Sequence, residues 1–273
     1  MGRGTTLVLS ECAVTNNYCG KKGAGITLSS GSDWVDIPGA TVILYNSTLV
    51  NNTAELDNAG VINVGNYARV VIGGDENTFA FNACGSQGGV VGASTNTRVT
   101  VEGGLFYGND GDEGGGVFWT KGELNITGGN FSGNTSPDGG GIAYAASDAS
   151  VYITGGVFQG NEALDGAVMY ITEDAELFVE GGNFTGNTAS SAGGVFWVEE
   201  DGDIQITGGI FVANMADFGG FLYKEGGGKA TCTGASIVGH IGVDGGAIYA
   251  VDDADLYWEC DLIENVALSG PAM

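Results

Sequence analysis

Residues 122–142 read GELNITGGNFSGNTSPDGGGI, and the pattern returns at 149–168 as ASVYITGGVFQGNEALDGAV and at 175–194 as AELFVEGGNFTGNTASSAGG. In each stretch two apolar residues alternate with polar ones (Leu124 and Ile126, Val151 and Ile153, Leu177 and Val179), then a phenylalanine stands three positions before an asparagine, and glycines follow. Period-two alternation marks a short strand with one buried face.

Outward from these stretches, the apolar-x-x-Asn step runs from end to end. It occurs at Val14 and Asn17, Leu49 and Asn52, Phe79 and Asn82, Phe106 and Asn109, and Phe131 and Asn134. It continues at Phe158 and Asn161, Phe184 and Asn187, Phe211 and Asn214, and Leu262 and Asn265, with Ile237 and His240 as the one departure. Successive positions lie 35, 30, 27, 25, 27, 26, 27, 26 and 25 residues apart. The first intervals are long because Ser29 to Pro38 reads as a loop bulging from one coil, which a stacked fold tolerates.

The second landmark is a glycine pair or near-pair before an apolar run: Gly88-Gly89, Gly115-Gly116, Gly139-Gly140, Gly166-Ala167, Gly193-Gly194, Gly219-Gly220 and Gly245-Gly246. The strand after it has Phe118, Ile142, Met169, Phe196, Leu222 and Ile248 as its expected inward column. A unit this short cannot bury its apolar side alone and must stack on copies of itself. The expected fold is all-β: a right-handed parallel β-helix, a solenoid of about ten coils of ~26 residues with three short strands per coil. Residues 1–273 form a single domain in this reading. Like residues then lie above one another, so the asparagines form a ladder of side-chain amides and the phenylalanines fill the interior.

Composition sets the outer bounds. Glycine supplies 52 of 273 residues and proline 3, without the three-residue period of collagen. Against 33 acids stand 8 Lys and Arg, and the net charge of −25 repels nucleic acid and anionic lipid, so no nucleic-acid partner is expected. It also disfavours a polyanionic substrate. No apolar run is long enough for a transmembrane helix. Met1, Gly2 and Thr6 match a loose myristoylation pattern, yet Leu7 and Leu9 fit the first core strand.

The Phe131-Ser-Gly-Asn134 type of site, alternating with runs such as Gly245-Gly-Ala-Ile248, resembles the repeats of chlamydial polymorphic outer membrane proteins over essentially the whole chain. The resemblance implies a pectin-lyase-like β-helix, a surface location and an adhesive role. The family's secretion signal and C-terminal membrane barrel have no counterpart in these residues. Asn265 to Met273 reads like Asn161 to Met169, so the chain is expected to be a segment of a longer repeat protein.

Few residues suggest chemistry. His240 is the only histidine and takes a ladder position, and the arginines, Arg3, Arg69 and Arg98, sit beside no acid cluster. No catalytic residue and no cofactor is expected. Acids precede the glycine pairs (Glu113, Asp138, Asp165, Asp217, Asp244) and crowd another turn (Asp148, Glu173, Asp174, Glu199, Glu200, Asp201, Asp203, Asp252, Asp253, Asp255). Calcium is the candidate ion for them, since stacked like charges repel. Alternation turns Trp119, Tyr170, Trp197, Tyr223 and Tyr249 outward as a candidate ligand-binding stripe, broken at Ala143.

Among five cysteines, Cys12 and Cys19 are close enough to bridge, whereas Cys232 aligns with Trp258, about 8 Å from Cys260 and beyond disulfide reach. Sequons stand at Asn46, Asn51, Asn125, Asn130, Asn134 and Asn183, and Asn134 belongs to the ladder. The expected function is a structural or adhesive module without catalytic activity in a secreted or cell-surface glycoprotein. Its expected partner is a protein or glycan on a cell or matrix surface. The alternative is a carbohydrate-binding or carbohydrate-active β-helix of the polysaccharide lyase or hydrolase kind.

Overall fold

The computed structural model describes residues 4–21, 23–28, 39–56 and 59–269. Ser29 to Pro38, Met1, Gly2 and Arg3, and the last residues to Met273 lie outside them. The described chain is a parallel β-solenoid without helix. Three sheets have ten strands each and a fourth has nine, all paired in parallel with the equivalent strand of the next coil. We number them by the first strand each contains: sheet 1 from Thr6–Ser10, sheet 2 from Ala13–Thr15, sheet 3 from Tyr18–Cys19 and sheet 4 from Ile26–Leu28.

A coil therefore has four strands, one more than the alternation marks. The additional strand is sheet 3, the segment after the ladder asparagine, as in Thr135–Gly139 and Glu162–Asp165. Its inward positions carry small residues, Ser136, Ala163, Ala189 and Ala216, so no large apolar residue announces it. Register shifts between Ser136 and Gly139 and between Ala163 and Asp165 further blur its period.

Inside, sheet 2 stacks Phe79, Phe106, Phe131, Phe158, Phe184 and Phe211, with successive ring centroids 4.7, 4.6, 5.0, 4.5 and 4.6 Å apart. All six are fully buried. Opposite them, sheet 1 contributes Val99, Leu124, Val151, Leu177 and Ile204, one above another in register. Sheet 4 closes the core with Phe118, Ala143, Met169, Phe196 and Leu222.

The ladder occupies the corner between sheets 2 and 3. Asn134 donates its backbone N–H and its Nδ2 to Oδ1 of Asn161, both at 3.0 Å, and gives Nδ2 also to the Phe106 carbonyl of the preceding coil at 3.0 Å. Asn52, Asn82, Asn109, Asn161 and Asn187 repeat this three-bond arrangement. Asn17 starts the file by donating N–H and Nδ2 to Asn52, and Asn265 accepts at its other end.

His240 takes the place of one amide. Its Nδ1 accepts the Asn214 N–H at 3.2 Å, its Nε2 lies 3.2 Å from the Phe211 carbonyl, and its own N–H goes to Asn265 Oδ1 at 2.8 Å. These partners require the neutral tautomer protonated on Nε2. Asn214 Nδ2 then bonds only the Phe184 carbonyl, so the side-chain-to-side-chain link stops there. Burial pushes the imidazole down from 6.5 to about 4.

Two stability predictions follow from the ladder. Asn161→Ala strips partners from the Asn134 donors and the Phe131 carbonyl at once, and should cost about 3–5 kcal/mol in urea unfolding. For His240, the unfolded chain binds a proton below pH 6.5 that the folded chain refuses until about 4, so stability is intact above 6.5 and falls between those values. The loss amounts to about 3 kcal/mol. Denaturation at neutral and acid pH should show that His240→Asn removes this part of the acid sensitivity; equal pH profiles for both proteins would contradict the assignment.

Candidate functional site

The corner between sheets 3 and 4 decides which side chains face outward. Within the run Gly139-Gly140-Gly141, the pair equivalent to Gly115-Gly116 is Gly140-Gly141, not Gly139-Gly140. Gly115 and Gly140 both have a positive φ, at 72° and 67°, while a β-carbon on Gly116 would meet the Gly141 carbonyl oxygen at 2.3 Å. The strand shifts by one residue accordingly: Phe118 pairs with Ala143, and Trp119 with Tyr144. Ile142 lies in the corner, and Ala143 takes the inward column.

The stripe is thus unbroken. Trp119, Tyr144, Tyr170, Trp197, Tyr223 and Tyr249 stand in register on six successive coils. From Tyr144 to Tyr249 the ring centroids are 4.7, 5.6, 4.1 and 5.7 Å apart and the planes lie within 7°, 7°, 18° and 11° of parallel. The rings lie against the glycine corner: a β-carbon on Gly114 would come within 2.7 Å of the Tyr144 ring, and one on Gly139 within 2.5 Å of the Tyr170 ring. Trp119 is withdrawn from the surface at 8% exposure, with Lys121 Nζ 5.3 Å above its ring. The other five rings are half-buried.

Carboxylates take up the polar tips. Glu199 accepts from Thr172 Oγ1 at 2.7 Å, from Trp197 Nε1 at 3.2 Å and from the Tyr170 hydroxyl. Glu225 accepts from the Tyr223 hydroxyl at 3.1 Å. Burial pushes Tyr144 up to about 12, with Glu199 and Asp138 adding to it, and Tyr223 up to about 12, with Glu225 adding. Tyr170 rises further, by burial and then by its bond to Glu199. On the other flank, burial raises Asp138 and Asp165 from the ordinary carboxylate value. Glu113 and Glu199 reinforce the shift on Asp138, while the Ser191 hydroxyl and the Ala192 N–H oppose it on Asp165.

Sequence reasoning missed Tyr144 and two other features. Lys224 is wholly buried and points its ammonium at the carbonyls of Glu200, Glu225 and Gly226, at 3.2, 3.0 and 3.3 Å, and of Gly227. It holds the glycine-rich turn after sheet 4 and is itself pushed down by burial. The alternation Leu222-Tyr223-Lys224 was the available signal. The second is a disulfide between Cys232 and Cys260, with Cα atoms 5.6 Å apart. Cys232 does pair with Trp258, but Ile237 pairs with Leu262, so the last corner is one residue shorter and draws Cys260 inward. Cys12 is a free thiol.

Among the described residues no group of three or more His, Cys, Asp or Glu is placed to hold a metal ion. Among them, too, no helix is long and apolar enough to cross a membrane, which does not address β-barrels. Arg69 and Arg98 are neighbours on sheet 1, where Arg98 pairs with Glu123 at 2.7 Å, away from the stripe. Of the sequons, Asn46, Asn51, Asn130 and Asn183 are exposed, Asn125 is half-buried and Asn134 is buried in the ladder. Comparison with protein-family models, with curated proteins and with solved structures returned no match.

The stripe predicts a split alkaline titration. With tyrosine pKa values raised in the fold, the associated stability is present below pH 10 and is lost as pH rises beyond it. Ultraviolet absorbance should show Tyr144, Tyr170 and Tyr223 as a late-ionising class, Tyr144 and Tyr223 at about 12. Tyr170→Phe should remove one phenol from the late class only.

Proposed function

We propose that this chain is a structural and adhesive module, without catalytic activity, of an extracellular or cell-surface protein. It acts by presenting the outer face of sheet 4 to a protein or glycan on a cell or matrix surface. The observation that carries this reading is the unbroken aromatic stripe on a rigid, regular face, where large amphipathic side chains favour contact with a partner. Two features support the location: a disulfide, which persists in oxidising compartments, and four exposed sequons. The non-catalytic part is supported by the use of both ring nitrogens of His240 in the ladder and by the distance of the arginines from the stripe.

A carbohydrate-active enzyme is the second reading. It is favoured by Asp138 and Asp165, carboxyls of successive coils raised by burial from the ordinary carboxylate value, the direction a general acid requires. The two readings separate in one experiment. The chain is applied to wells coated with matrix proteins or with polysaccharides, and the supernatant is assayed for released sugar. Retention that drops several-fold in Trp197→Ser/Tyr223→Ser, with no sugar released, is the expected result. Released fragments that disappear in Asp165→Asn would establish the enzyme instead, and retention indifferent to both aromatic substitutions would remove the stripe from the account.

A further inference from the structure

We propose that the stripe takes an extended, lysine- and arginine-rich segment of a partner protein. This deepens the reading above and rests on it. Because the rings from Tyr144 to Tyr249 stack nearly parallel, their faces are turned toward one another along the solenoid. A sugar ring needs an open aromatic face to stack on, and the middle of this stripe has none to give. What reaches the surface are ring edges, phenol hydroxyls and the carboxylates those hydroxyls orient.

The carboxylates are the distinctive feature. Glu199 and Glu225 stand on one side of the rings, and Asp138, Asp165, Asp217 and Asp244 precede the glycine corner on the other. Among the described residues none of these six forms a salt bridge, and the ion pair that does occur, Arg98 with Glu123, is on sheet 1. The one basic group placed to pair with them from within, Lys224, is buried and turned to backbone carbonyls. At the Trp119 end the chain supplies its own cation, Lys121, over the last ring. A cation against this aromatic column is thus already present once.

The spacing selects the form of the partner. At least one of the six falls on each of the five coils from Tyr144 to Tyr249, on one flank of the rings or the other, over about 20 Å, and no three of them are gathered around one point as a metal ion would need. A single exposed ion pair contributes little, so binding requires many cations on one flexible string. A peptide of about six to eight extended residues spans that length.

The test uses the full chain and an oligolysine of about nine residues, with a glycine-serine peptide of equal length, spermine and calcium as comparison ligands. Calorimetry should give binding to oligolysine that is stronger than to spermine and absent for the neutral peptide. Glu199→Gln/Glu225→Gln should weaken it about tenfold, while Glu176→Gln/Glu180→Gln, which remove the same charge on the sheet 1 side, should change it less than about twofold. Equal weakening by both pairs would reduce the effect to net charge and overturn the proposal. Carbodiimide cross-linking of oligolysine to the unaltered chain gives a readout independent of folding: links at Asp165, Glu199 or Glu225 are expected, and links confined to other sheets would overturn it. If oligolysine fails while retention on coated wells still depends on Trp197 and Tyr223, the cationic partner is wrong and the adhesive reading survives. If neither depends on them, both fall.

Discussion

A buried side-chain amide must find partners for two donors and an acceptor, and a ladder asparagine finds all of them where the next coil places an identical amide directly above. Each ladder asparagine between Asn52 and Asn187 meets that demand with bonds to the next coil and to a carbonyl of the preceding one. Left unpaired, such a group costs about 1–3 kcal/mol, so a coil that slips by one residue loses at the corner before it loses in the strands. Slippage would also turn every strand side chain to the opposite face. Axial register is therefore fixed at the corner, and the phenylalanine stack, the sheet 1 columns and the outer rings inherit it.

The same register works against the charge. Acids repeat in turns one coil apart, and at about 5 Å two like charges repel by near 1 kcal/mol even in water. The fold keeps that repulsion outside. Among the described residues no carboxylate is buried, and the buried ammonium, that of Lys224, is met by carbonyls. His240 shows how tightly the corner is specified: an imidazole is accepted there because Nδ1 and Nε2–H reproduce the acceptor and donor of an amide. Its protonation would set a second donor against the Asn214 N–H.

Much of this architecture was legible in the amino-acid order. An apolar residue, most often phenylalanine, three residues before the ladder position fixes one strand and one corner in each coil, and the alternation of Leu124 with Ile126 and its equivalents fixes another strand. Sheet 3 was not legible, since Ala163, Ala189 and Ala216 look like corner filler and only the pairing of whole coils reveals a strand. The stripe was read with a gap because three successive glycines allow two alignments, and only the carbonyl packed against Gly116 selects Gly140-Gly141. The Cys232–Cys260 bridge was dismissed on a correct strand alignment. Rise per coil describes the strands, and a corner shortened by one residue escapes that arithmetic.

Periodicity also bears on what such a surface can recognise. Stacking one coil on the next puts ring upon ring, and each ring then spends its faces on its neighbours, as the phenylalanines do inside. A regular aromatic column is to that extent a second, external core, sheltering the glycine corner beneath it. Specificity has to come from residues that break the regularity. Along sheet 4 the breaks are charged: Lys121 follows Trp119, Glu199 follows Trp197 and Glu225 follows Tyr223, each two residues on and so on the same face. The rings set their spacing and orientation, and the charges single out three of the six coils on an otherwise uniform face.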